Sequence, residues 1–246
     1  MGPLADPVAE GRRVAEAAAE QDIPLRLLGG VAIALRCPSS GSAPLKREHA
    51  DVDCAVRGNA RDEALELLAA LGYEPDREFN TLHGQRRLYL WDRGNDRHLD
   101  VFVDEANLCH RIALGGRIES DPTTLSLADL TVLKLQVMET NEKDYLDICA
   151  LFADHELSDG DGGIDVSYIS NLAASDWGLW RTMGMVAARS EKFALDLKGF
   201  PAAETVAARL RQLRGNLDSV PKTRRWKLRA RVGERVRWYE LPEEVH

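Results

Sequence analysis

Asp51 and Asp53 stand two residues apart in DVDCAV, a segment that alternates polar and apolar residues before turning at Gly58-Asn59. In a strand that spacing turns both carboxylates to one face, about 6.6 Å apart, where at an effective dielectric of 20 their repulsion costs roughly 2.5 kcal/mol. A bound cation removes that cost. Hard carboxylate oxygens suit Mg²⁺ (or Mn²⁺), which keeps several waters and takes its remaining ligands from substrate phosphates. A second segment, HLDVFV at 98–103, carries one acid in apolar alternation and puts His98, Asp100 and Phe102 on one face. Three carboxylates on adjacent strands can hold two metal ions, one acidifying an attacking hydroxyl and the other neutralising a triphosphate and its leaving group. Asp51, Asp53 and Asp100 are therefore the expected metal-ligating and catalytic residues. Asp100, with no acid two positions away, suits the attacking side as metal ligand or general base, while Asp104 at the strand end reads as a solvated neighbour.

Upstream, Gly29-Gly30 falls between the apolar run LRLL and the helix-like segment 31–36. Without side chains, backbone N–H groups at such a turn can approach a phosphate, and the start of the helix favours its charge. His49 and His98 flank the acids and could polarise a phosphate or an acceptor, although satisfied structural histidines are commoner.

These residues must be positioned by a mixed set of elements. Ala- and Glu-rich periodicity predicts a helix over Pro7 to Glu20, followed by a strand at 25–28, a short helix ending before Cys37-Pro38, and a flexible loop over PSSGSAP. Strands are expected at 51–56, 86–91 and 98–103, with the turn GND joining the last two, and an amphipathic helix at 61–71 is closed by Gly72. From Leu125 the pattern is almost all helical: 127–140, 142–155, 177–197, 202–217 and a final basic stretch. The fold class is thus α+β, a small mixed β-sheet core flanked by helices, with a helical C-terminal domain. The Gly-Asp run SDGDGGID is a natural linker. The switch from mixed to helical patterning sets the boundary earlier, near Pro122, giving a core over 1–122 and a helical domain with a basic tail region over 123–246.

The formal charge of -8 hides an asymmetry. Residues 189–237 carry 14 Lys or Arg against 5 Asp or Glu, so a basic region follows an acidic body. That region could grip nucleic acid, or fold back to neutralise the body. Trp226, Trp238 and Tyr239, set among its arginines, could stack on bases, although packing is the plainer role; Trp177 and Trp180 read as core. No stretch approaches the ~20 consecutive apolar residues of a membrane span, and the N-terminus lacks the apolar segment of a signal peptide, so a cytoplasmic protein without a membrane partner is expected. The four scattered cysteines suggest buried free thiols rather than disulfides or a zinc site.

The order Gly-Gly turn, hDxDh strand and later Asp strand resembles the nucleotidyltransferase superfamily that includes DNA polymerase beta, over about the first half of the chain. Within it the sequence looks most like the AbiEii-type and MenT-type toxin enzymes and the aminoglycoside and lincosamide nucleotidyltransferases. Arg47, four residues before Asp51, stands where that group often has an arginine. Lys134, with Lys143-Asp144 and Asp147, reproduces a K…KDxxD helix pattern of the AbiEii-like branch. The resemblance implies Mg²⁺-dependent transfer of an NMP from an NTP (ATP among them) to an acceptor hydroxyl, with Gly29, Gly30, Arg47, Lys134, Lys143 and Asp144 binding the nucleotide. Lys134 or Lys143 would contact the triphosphate and Asp144 would orient that lysine or the base; a surface Lys-Asp pair is the structural alternative. Val31 departs from the Ser or Thr that polymerase-like and many toxin sequences have after Gly-Gly, which leaves the holding to backbone amides. The implied acceptor is tRNA or another RNA, with an antitoxin protein as partner, or a small hydroxylated antibiotic. A non-catalytic NTP-binding regulator of the same fold is the remaining alternative; loss of the acids would have marked it, and all three are present.

Overall fold

The structure is a computed structural model and describes residues 2–160 and 162–241. The chain divides into two compact units, one formed by 1–36, 48–106 and 112–126, the other by 37–47, 107–111 and 127–246.

In the first unit, α1 (Pro7–Glu20) opens with Asp6, whose carboxylate accepts from Ala9 N, and with Pro7 at the first turn, where a missing N–H costs nothing. There follow β1 (Leu25–Leu28), α2 (Gly29–Arg36), β2 (Val52–Val56), α3 (Arg61–Ala70), β3 (Glu74–Pro75), α4 (Arg77–His83), β4 (Arg87–Asp92), β5 (Arg97–Val103) and the short pair β6 (Glu105–Asn107) and β7 (Arg111–Ala113). The main sheet has the order β1-β2-β5-β4-β3. Its β2–β5 pair is parallel and the others are antiparallel.

Register divides the sheet into two unlike faces. Leu25, Leu27, Val52, Cys54, Val56, Leu88, Leu90, Leu99, Val101 and Val103 share one, and every one of them is buried. Helix α1 seats against it closely: a Cβ on Gly11 would fall 2.5 Å from Val31 Cγ1 and 3.4 Å from Leu27 Cδ1. The other face carries Asp53, Ala55, His98, Asp100, Phe102, Arg87, Tyr89 and Trp91. A two-residue side-chain period thus separates a wholly apolar core from a polar and aromatic surface along the same strands.

The second unit is largely helical: α5 (Leu127–Leu135), α6 (Glu142–Asp154), α7 (Val166–Ser175), α8 (Trp177–Asp196), α9 (Ala203–Ser219) and α10 (Arg224–Val232), with a two-stranded parallel pair β8 (Leu157–Ser158) and β9 (Ile164–Asp165). The expected helix over 127–140 stops at Leu135. There Gln136 turns its side-chain oxygen to His110 N at 2.8 Å, and Asn141 and Asp144 close a reciprocal cap that starts α6. The Gly-Asp run lies inside this unit, between β8 and β9, and its Asp161 is outside the described residues. The loop over PSSGSAP takes a 3₁₀ turn at Pro38–Gly41, with Ser39 N donating to Asp154. Of the basic tail region, 242–246 lie outside the described residues.

Among the described residues no helix is long and apolar enough to cross a membrane. The four cysteines are free and buried, as expected.

Candidate functional site

Asp53 and Asp100 are register partners on the parallel strands β2 and β5, so the two acids stand side by side on the polar face. Exposure falls along the triad: Asp51, just ahead of β2, is exposed, Asp53 is half-buried and Asp100 is buried. A residue missed in the sequence, Arg87, grips Asp100 with both forks of its guanidinium, Nε at 2.7 Å from Oδ1 and Nη2 at 3.0 Å from Oδ2. Burial pulls the Arg87 pKa down, but the hydrogen bonds and charge of Asp100 more than offset this and raise it above the ordinary value. A bidentate Arg still leaves lone pairs on both carboxylate oxygens.

Gly29 stands directly against Asp53. Its φ is +69°, and a Cβ there would lie 2.1 Å from Asp53 Oδ2, so the position needs glycine both for its backbone and for space. The two glycines are the first residues of α2 rather than a turn ahead of it, which brings the start of that helix beside the carboxylate.

The aromatic residues continue this face beyond Asp100. Tyr89 is the register partner of Asp100, and Trp91 of His98. The His98 ring lies 4.7 Å from that of Tyr89 and 3.7 Å from that of Trp91, and Phe79 of α4 stands 5.6 Å from Tyr89. Burial first, then the charges of Asp100 and Asp51, pushes the Tyr89 phenol up to about 12, so it remains protonated at neutral pH.

Arg47, Lys134 and Asp144 come together in the second unit. Arg47 holds Asp147 with Nε and Nη2, both at 2.7 Å, and the Lys134 ammonium lies 2.8 Å from Asp144 and 2.8 Å from Asp147. Asp147 is buried, with 4% of its side chain exposed against 15% for Lys134. Burial opposes the charge on each, but the partners win: Asp147 is lowered below the usual carboxylate value and Lys134 raised above the usual ammonium value. Two of the three ammonium N–H groups of Lys134 are thus directed at carboxylates. Lys143 is exposed, one residue along the helix from Asp144.

Magnesium was expected from the acids. Among the described residues no group of three or more His, Cys, Asp or Glu side chains is arranged to hold a metal ion, and Arg87 spans Asp100. The donors nevertheless suit a hard divalent cation, because such an ion needs only one or two carboxylates when phosphates and water complete its shell.

No protein-family profile and no curated protein matches the chain. Among solved structures it is similar to the antibiotic-resistance factor ANT(2'')-Ia in solution, at 17% identity and a TM-score of 0.40 over 68% of this chain and 93% of that one. A crystal structure of ANT(2'')-Ia with adenylyl-2''-tobramycin gives 18% identity and a TM-score of 0.37 over 58% and 88% of the two chains. A candidate nucleotidyltransferase from H. pylori gives 11% and 0.38 over 89% and 100%. Likeness at this level assigns no residue a role.

The tryptophans of the second unit pack. Trp177 is buried, Trp238 donates its indole N–H to Thr182 at 3.1 Å, and Trp226 meets Trp180 edge-on at 5.2 Å. Helix α10 itself has no buried residue; Arg224, Arg225, Lys227 and Arg231 are exposed along it.

Proposed function

We propose that this chain is a nucleotidyltransferase that moves a nucleoside monophosphate from an NTP to an acceptor hydroxyl on RNA and releases pyrophosphate. The observation that carries this reading is Asp53 beside Asp100 in strand register, with the glycine start of α2 pressed against Asp53. Asp51 and Asp53 hold Mg²⁺, which when bound supplies positive charge to the triphosphate and its leaving group. The Gly29 and Gly30 amides favour phosphate at the start of α2. Asp100, fixed in direction by Arg87, accepts the proton of the attacking hydroxyl. The acceptor oxygen then bonds to the α-phosphorus as the α–β bridging bond breaks, and the electron pair leaves with pyrophosphate. Arg87 touches no reacting atom and acts as a positioning residue.

RNA as acceptor is supported by the exposed cations of α10, which can release counterions from several phosphates at once. The test is incubation with each α-³²P-labelled NTP, Mg²⁺ or Mn²⁺, and either total tRNA or a panel of aminoglycosides and lincosamides, alongside Asp53→Asn. Label on RNA that is lost in the variant is expected. Label on a drug overturns the RNA acceptor, and no transfer at all with intact nucleotide binding overturns the transferase reading.

A further inference from the structure

The polar sheet face does not end at the acids. Next to Asp100 across the sheet comes Tyr89, both buried, and the adjoining row carries His98 and Trp91, so carboxylates and aromatic rings share one face of the sheet. Trp91, His98 and Phe79 are only half-buried. The Nδ1 atom of His98 is enclosed yet has no hydrogen-bond partner, so the imidazole is not there to tie strands together. Burying a polar ring without satisfying it is costly where a phenyl ring would pack as well, which points to a role in recognition. The cations along this face, Arg87 and Arg93, have ring partners of their own: Arg87 lies 5.3 Å from the Phe102 centroid and Arg93 5.2 Å from that of Trp91. Both guanidinium groups are also paired with acids, Arg87 with Asp100 and Arg93 with Glu74, so the ligand chemistry is set by the aromatic faces, which favour a planar ring.

We propose that Trp91 and His98 form a stacking shelf for a nucleobase beside the Asp51-Asp53-Asp100 row. The base belongs either to the NTP or to the end of the RNA acceptor; the chemistry of recognition is the same. The proposal rests on the transferase reading for its biological sense, but stacking is measured by binding alone, so the two can fail separately.

The experiment titrates the full-length protein with MgATP, with a single-stranded RNA trinucleotide and with the same trinucleotide lacking its bases. Wild type, Trp91→Ala, Trp91→Phe and His98→Ala are compared by calorimetry, with circular dichroism as the folding control. Binding of one base-bearing probe should weaken roughly ten- to a hundredfold in Trp91→Ala, less in His98→Ala, and little in Trp91→Phe. The abasic probe should bind wild type no better than the base-bearing one binds Trp91→Ala. Should Trp91→Ala fail to fold, tryptophan fluorescence decides: the probe should quench wild type more than Trp91→Phe. Whichever probe loses affinity identifies the source of the base. Equal affinity of every probe for wild type, Trp91→Phe and His98→Ala with no difference in quenching, or no binding of either base-bearing probe to wild type, overturns the shelf. Base-dependent binding without any transfer of label leaves the shelf standing and removes the catalytic reading.

Discussion

The acid row of the first unit and the ionic cluster of the second are made from the same residue types but are built differently. Along Asp51, Asp53 and Asp100 exposure falls from open to buried, and Arg87 holds the innermost member. In the other unit Arg47, Lys134, Asp144 and Asp147 bind one another, with Asp147 receiving from both cations. A gradient of exposure keeps the outermost acid in contact with solvent. A closed set of partners spends its charge on the fold, and removing one member strands the others away from water.

The largest expected effect tests that difference from the structural side. Asp147→Ala, which leaves Lys134 and Arg47 without their shared acceptor, should destabilise the protein by about 3–5 kcal/mol in urea unfolding. A loss below about 1 kcal/mol would show the cluster to be dispensable. Asp53→Asn should behave in the opposite way, with transfer falling by about 10²- to 10³-fold and stability moving by less than about 1 kcal/mol. Retention of full transfer would falsify the assignment of Asp53.

Gly29→Ala comes next. It must adopt a φ of +69° and place a Cβ against Asp53, so a stability loss of about 1–3 kcal/mol from backbone strain is expected, with a parallel fall in transfer as the carboxylate is displaced. Unchanged activity would mean that Asp53 has other productive positions. The pH dependence of the ionic cluster has a defined sign. Asp147 has a lowered pKa in the folded protein, so its contribution is present above the unfolded carboxylate value of about 4 and is lost as pH falls through the folded value. Lys134 is raised, so its contribution is present below about 10.4 and is lost as pH rises through its folded value. Unfolding free energy measured against pH should lose the Asp147 slope in Asp147→Ala and keep a reduced Lys134 slope, because Asp144 still pairs with that lysine. The smallest effect belongs to the exposed Arg93–Glu74 pair, where Glu74→Ala should change stability by no more than about 0.5 kcal/mol.

Much of this was legible in the residues because two simple periods govern it. Alternation placed His98, Asp100 and Phe102 on one face, and the β5 register bears that out. Helix α1 was marked by Pro7 and by its Ala-Glu pattern, and it runs from Pro7 to Glu20 as read. Helix α4 escaped notice because none of its residues is buried, so it has no apolar stripe to reveal it; its one sign was Asp76, which caps Phe79 N. Arg87 escaped because only cross-strand register brings it to Asp100, and pairing is not written in either strand alone. Its sole local hint was its place in the alternation Arg87, Tyr89, Trp91. For Lys134 and Asp144 the helix spacing named two residues that do meet, but it did not show that Asp147 joins them.

The parallel pairing of β2 with β5 has a further consequence. An antiparallel hairpin forms from neighbouring residues, but two parallel neighbours require the intervening chain, here including α3, β3, α4 and β4, to fold back before they can meet. Asp53 and Asp100 therefore become neighbours only when the unit is assembled, and no hairpin or fragment of it can bring them together. On the proposed chemistry a nascent or partly unfolded chain is silent, and transfer recovered during refolding would time the pairing of β2 with β5.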